Sequence, residues 1–329
     1  MRIDTLPVRL VVVSVFALLV VNRARADTLF VSDYGQGVSG AGAISVIANQ
    51  VVSTFASGLT EPTGIAFDSS GNLYVGCETV VNGFLQPAID KITSNKTVTV
   101  FASDLTDHVE DIAFDKSGNL YAATSNASAL QGGGAIDKIT PSGGKSIFVT
   151  LPPTSIVGDV GLTGLAFDGQ GNLFAADFKT IYKITPSGSA STFVTLPNVN
   201  QFNDADIVGL AFDKAGNLYA DAGNVIEQIS PAGAIRQFAA VNIEDNAFGN
   251  AFDSAGYLFV GLGPASAVDD ILPDGSGVSV WANIPNGPRY IADPSVSLPV
   301  PEPAGVTILL AGTITFLSRR RSQSKKEML

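Results

Sequence analysis

One stretch of thirteen residues, GIAFDSSGNLYVG at positions 64–76, returns four more times with small changes. The copies are DIAFDKSGNLYAA from Asp111, GLAFDGQGNLFAA from Gly164, GLAFDKAGNLYAD from Gly209 and GNAFDSAGYLFVG from Gly249. Self-similarity at a near-constant spacing restricts the chain to repeat architectures, so it decides the fold before composition does. Within each copy, GIAF is apolar on both faces, as a strand covered from both sides must be. DSSG follows, with an aspartate to bond its own backbone and a glycine for the left-handed turn position. NLYV then supplies aromatic and β-branched residues. Each copy therefore predicts a hairpin, and its sameness serves packing.

Two further strands follow each hairpin. The third reads IDKIT at Ile89 and Ile136, IYKIT at Ile181, IEQIS at Ile226 and VDDIL at Val268. The fourth carries one aromatic each time, at Phe101, Phe148, Phe193, Phe238 and Trp281, with a sixth at Phe55 ahead of the first full hairpin. Four strands in about 45 residues are a propeller blade. The hairpin aspartates Asp68, Asp115, Asp168, Asp213 and Asp253 are spaced by 47, 53, 45 and 40 residues, and another 40 reaches Asp293 in PRYIADP. TLFVSD from Thr28 has a second strand's pattern with no first strand before it. The two odd ends should complete one blade together. The expected fold is all-β: a six-bladed β-propeller of four-stranded antiparallel blades, its ring closed by N- and C-terminal strands.

LTEPTGIAFDSSGNLYVG resembles the NHL-type repeat, which also occurs in relatives of the lactonase and virginiamycin-lyase propellers. The resemblance covers nearly all of residues 27–295. It implies the propeller fold and leaves the function open, since one propeller scaffold carries many activities.

Both ends read as addresses. Arg2 and Arg9 precede an apolar run over residues 10–21, and Ala24 and Ala26 stand at the small-residue positions that a signal peptidase needs. Residues 1–26 are therefore expected to be a signal peptide; a membrane anchor is the alternative, but the run falls short of the roughly 20 apolar residues of a bilayer span. Residues 296–329 form a linker and tail, with Pro301-Glu302-Pro303, an apolar helix expected over 304–317, and Arg319, Arg320 and Arg321. Arginines after an apolar stretch hold that end in the cytoplasm. This order closely resembles the PEP-CTERM sorting signal of Gram-negative bacteria. The resemblance implies export, transient anchoring in the inner membrane, processing by an exosortase, and release or attachment at the cell surface; a plain tail anchor is the alternative.

The net charge is −11, and the two terminal segments hold nine of the nineteen basic residues, so the propeller itself is more acidic still. Such a surface repels nucleic acid and anionic lipid at long range. Membrane contact is expected only through the terminal segments, and polysaccharide or another surface protein stands as the candidate partner. Cys77 is the only cysteine, which excludes an internal disulfide, and it reads as a small buried strand residue. His108 is the only histidine, which excludes a two-histidine metal site and a histidine acid–base pair.

The turns on one face are short and uniform, whereas the segments facing the other, such as CETVVNGFLQPA and LPNVNQFNDADIV, read as long irregular loops. Loops free to vary on a rigid scaffold are where binding is usually placed. Counting six residues back from each hairpin phenylalanine gives Glu61, His108, Gly161, Asp206 and Asn246, and the same count from Ala292 gives Asn286. Glu61, Asp206, Asn246 and Asn286 are candidate Ca²⁺ ligands, because converging carboxylates and amides suit a hard cation. His108, Glu110 and Asp204 are candidate binding residues beside them. The resemblance to sugar-lactonase propellers implies that such residues hold Ca²⁺ and that one acts as general base. The lactonases' motifs around their ligands do not align here, however, and Glu61 is followed by Pro-Thr-Gly as in plain NHL repeats. Two functions therefore stand: an exported binding or scaffold module, and a Ca²⁺-dependent lactonase-like hydrolase with its site at the channel mouth.

Overall fold

The computed structural model describes residues 28–35, 38–125, 134–152, 161–197, 207–242, 247–263, 265–284 and 287–294. The chain divides into two units, and Met1–Leu298 holds all of these residues. The second, Pro299–Leu329, lies outside the described residues, as do Ala24, Ala26 and the Pro301, Glu302, Pro303, Arg319, Arg320 and Arg321 tail.

Every described element is a strand or a turn. Strands β1 (Thr28–Asp33), β2 (Gly42–Ala48) and β3 (Val51–Leu59) begin blade I. Blade II follows with β4 (Ile65–Phe67), β5 (Leu73–Val81), β6 (Phe84–Ile92) and β7 (Val98–Ser103). Blade III has β8 (Val109–Phe114), β9 (Leu120–Ser125), β10 (Gly134–Ile139) and β11 (Lys145–Leu151). Blade IV has β12 (Leu162–Phe167), β13 (Leu173–Asp177), β14 (Thr180–Ile184) and β15 (Ala190–Thr195). Blade V has β16 (Ile207–Phe212), β17 (Leu218–Ala222), β18 (Val225–Ile229) and β19 (Ile235–Ala240). Blade VI has β20 (Ala247–Phe252), β21 (Leu258–Leu262), β22 (Ala267–Ile271) and β23 (Val278–Asn283). The last strand, β24 (Pro288–Ala292), returns to blade I, giving it the order β24-β1-β2-β3. The expected closure is thus present, with Phe30 opposite Ala292, Val31 opposite Ile291 and Asp33 opposite Pro288.

The turn chemistry behaves as the repeat predicts. Asp68 Oδ1 accepts the N–H groups of Ser70 and Asn72, and Oδ2 accepts Asn72 Nδ2, all within 2.9 Å. Asp115, Asp168 and Asp213 repeat the same three bonds. Each turn then passes through a glycine at positive φ, such as Gly71 at 79°, which a Cβ would strain.

Blades are joined by aromatic edges. The second-strand ring of each blade meets its own fourth-strand ring and the first-strand phenylalanine of the next blade. Tyr74 lies 4.9 Å from Phe101 and 5.0 Å from Phe114; Tyr121, Phe174, Tyr219 and Phe30 repeat the arrangement. At the seam between blades VI and I, Phe259 keeps Trp281 at 4.8 Å, but β24 supplies Ala292 where other blades supply phenylalanine. Towards the hub the inner strands approach so closely that a Cβ on Gly64 would lie 2.5 Å from Asp111 Cα, and one on Gly249 2.6 Å from Arg289 O. Cys77 is buried on β5, as expected, and burial pushes its thiol up.

These contacts set an expected contrast. Phe174→Ala removes both of its edge contacts and opens a buried cavity, which should cost about 3–5 kcal/mol. Phe84→Ala, at a ring 72% exposed, should stay within about 0.5 kcal/mol. Denaturant midpoints of the two variants check this.

Candidate functional site

The described polar residues of the channel mouth gather over three neighbouring blades. Glu61 stands between β3 and β4 with φ at 48°, a left-handed conformation that disfavours an ordinary side chain and often marks a functional position. Its neighbours hold it there. Thr60 O accepts the N–H of Glu78 at 3.0 Å, and Thr63 donates its N–H to Gly76 O at 2.8 Å and its hydroxyl to Val109 O at 2.7 Å. The bridge between Thr60 and Glu78 brings Glu78, near the end of β5, beside Glu61.

Blade III supplies the third and fourth groups. His108 immediately precedes β8, and its loop is fixed from below by Asp137 on β10. That buried carboxylate accepts the N–H and the hydroxyl of Thr106, both at 2.8 Å. His108 Nδ1 lies 3.0 Å from Glu78 Oε1, and Nε2 lies 3.9 Å from Glu110 Oε1. One ligand atom from each of Glu61, Glu78 and His108 falls within 4.8 Å of the others. Burial raises the Glu110 carboxyl above its ordinary range, against the opposing pull of His108 and Arg289.

Blade I completes the mouth. Tyr34, just after β1, donates its hydroxyl to Glu61 Oε2 at 2.9 Å. Burial and that carboxylate push the phenol up to about 12. The guanidinium carbon of Arg289, on β24, lies 4.0 Å from the centre of the Tyr34 ring and 5.4 Å from that of Phe248.

Of the expected site residues, Glu61, His108 and Glu110 do come together. Asp204, Asp206, Asn246 and Asn286 lie outside the described residues. Glu78 was not anticipated, because CETVVNGFLQPA read as an irregular loop. That reading is corrected: the segment extends β5 and β6 into a nine-residue-strand hairpin, paired from Leu73 opposite Ile92 to Val81 opposite Phe84. The signal was present in Asn82-Gly83, whose φ values of 54° and 82° are those of a tight hairpin turn. Tyr34 and Arg289 were missed because each lies beyond the repeat, in the blade that the chain ends share.

Two buried carboxyls line the hub below. Asp111 accepts the N–H groups of Ile112 and Leu165, both at 2.8 Å, and so braces blade III against blade IV; burial raises its pKa to about 8. Asp221 accepts Asn250 Nδ2 from blade VI, while its Oδ2 has no hydrogen-bond partner among the described residues; burial raises it to about 7.

Comparison with known proteins agrees with this architecture. A family model described as a beta-propeller repeat matches residues 50–84. No curated protein matches. Among solved structures, virginiamycin B lyase from Staphylococcus aureus is similar at 18% identity and TM-score 0.53, covering 70% of this chain and 73% of that one. A chain of the nidogen/laminin complex is similar at 15% identity and TM-score 0.63, covering 83% and 99%. A protein of unknown function from Bacteroides caccae is similar at 12% identity and TM-score 0.56, covering 82% and 98%. These likenesses establish a shared fold.

The hub carboxyls give the molecule an expected pH dependence. Asp221 has a folded pKa of about 7 against about 3.9 in an unfolded chain. Its contribution is therefore fully present below pH ~4 and is lost as pH rises through ~7. Asp221→Asn should melt close to the parent at pH 5 and above it at pH 8. Asp111→Asn should melt lower at both, because an amide cannot accept both backbone N–H groups. Melting curves of both variants across that range check the assignment.

Proposed function

We propose that the protein is an exported propeller acting as a binding module, carried to the cell surface through its Pro301-Glu302-Pro303 tail, with its ligand site at the channel mouth. In this reading Glu61, Glu78 and His108 hold a divalent cation that takes part in ligand binding. The observation that carries it is the convergence of those three side chains from two blades, with Glu61 kept in a left-handed conformation by Thr60 and Thr63. The donor set also refines the choice of metal. Ca²⁺ prefers six to eight oxygen ligands, whereas two carboxylates with an imidazole nitrogen suit Mn²⁺ or Zn²⁺ better. When bound, such a cation supplies open coordination positions for ligand oxygens.

A second reading, a metal-dependent lactonase-like hydrolase, is favoured by Glu110. A carboxyl raised above its ordinary range by burial and 3.9 Å from His108 Nε2 stands where a general base would be needed. Glu110→Gln would then abolish hydrolysis of sugar lactones while the cation still binds.

Thermal unfolding in EDTA, Mn²⁺, Zn²⁺ and Ca²⁺ tests the first reading. A cation at 100 times its Kd stabilises the folded state by about 2.7 kcal/mol. Mn²⁺ or Zn²⁺ should raise the melting temperature more than Ca²⁺, and Glu78→Gln or His108→Ala should remove the rise. A melting temperature indifferent to all three cations would overturn it.

A further inference from the structure

Arg289 occupies a ring position that is glycine in four blades, Gly64, Gly164, Gly209 and Gly249, and aspartate in the fifth. That aspartate, Asp111, spends both oxygens on backbone N–H groups. Among the described residues, Arg289 makes no such bonds. It is half-buried and lies against the rings of Tyr34 and Phe248, and among the described residues no carboxylate comes within ion-pair distance of it. Glu110 is near enough to feel its charge without pairing.

Aromatic contact engages the flat faces of a guanidinium and leaves its in-plane N–H groups free. Two parallel N–H donors in one plane match the two oxygens of a carboxylate. The charge surroundings sharpen the choice. With Glu61 and Glu110 close by, a single negative charge is accommodated better than the double charge of a phosphate. Tyr34 then fixes what lies next to that carboxylate. The face of the Tyr34 ring carries Arg289, and its hydroxyl is bonded to Glu61, so the fork and the proposed cation site are one tyrosine apart.

We infer that Arg289 is a carboxylate fork and that the channel mouth takes a hydroxycarboxylate, its acid group on Arg289 and its hydroxyl oxygens toward the cation at Glu61, Glu78 and His108. The choice of hydroxyl groups rests on the cation reading above; the carboxylate fork does not. Acidic sugars belong to this class.

Calorimetric titration of the purified protein with glycolate, D-glucuronate and D-galacturonate tests it, beside ethylene glycol, D-glucose and D-galactose, each set in Mn²⁺ and in EDTA. At least one acid should bind, with its neutral counterpart weaker by about tenfold or more. Arg289→Lys should weaken that acid by a similar factor, and Arg289→Gln should abolish it while keeping the Mn²⁺-dependent rise in melting temperature. Binding of acids that persists in EDTA and still needs Arg289 would uphold the fork and remove the cation. A Mn²⁺-dependent melting rise with no acid bound, or with acid and neutral partner bound alike, would overturn the fork and leave the cation standing. Unchanged acid affinity in Arg289→Gln would overturn it as well.

Discussion

The edge-to-face meeting of three rings is the contact on which the wheel depends. A second-strand aromatic reaches its own outer strand and the inner strand of the next blade, with centroids 4.8 to 5.1 Å apart throughout. At about 0.5–1.5 kcal/mol per pair beyond area burial, the pairs together are of the order of a domain's whole net stability. The same three rings meet at five of the six junctions, and towards the hub the inner strands approach closely enough to favour glycine at most inner positions. Where the ring position bears a side chain instead, that side chain must find a use, as Asp111 does between two blades.

The proposed site lies where this regularity stops. Tyr34 and Arg289 belong to the blade made from both chain ends, Glu61 and Glu78 to the blade after it, and His108 and Glu110 to the next. Among the described residues, these polar groups come from three neighbouring blades. One phenol touches both kinds of charge: Tyr34 bonds Glu61 through its hydroxyl and covers Arg289 with its face.

The fold was legible because repetition is redundant. Five aspartates, six fourth-strand aromatics and a missing first strand all pointed to one blade count and one closure, and no single residue had to be read correctly. The site has no such redundancy. Glu61 and His108 could be found by counting from the repeat, since the inner strands start in register at the mouth. Glu78 needed recognition that Asn82-Gly83 turns a hairpin, and the mixture of Val80, Val81, Phe84 and Leu85 around it, all exposed, hid that period. Tyr34 and Arg289 could not be placed by counting at all, because their proximity exists only after the ring has closed. Asp221 is similar: its raised pKa follows from burial against Gly209 and Asn250, and burial depth is a property of the assembled hub.

The closure also has a mechanical side. Strands β1 and β24 are antiparallel, and Phe30 faces Ala292 while Asp33 faces Pro288, so Thr28 and the end of β24 lie at the same end of the pair. Tension applied between those two points loads the ladder one rung at a time, as a zipper is opened, and does not shear all rungs together. The strand that peels away is an innermost one, and it carries Arg289. A pull on the two ends of the wheel would thus dismantle the guanidinium side of the mouth before any other blade yields, which makes the seam a force-sensitive joint in a body otherwise built to resist it.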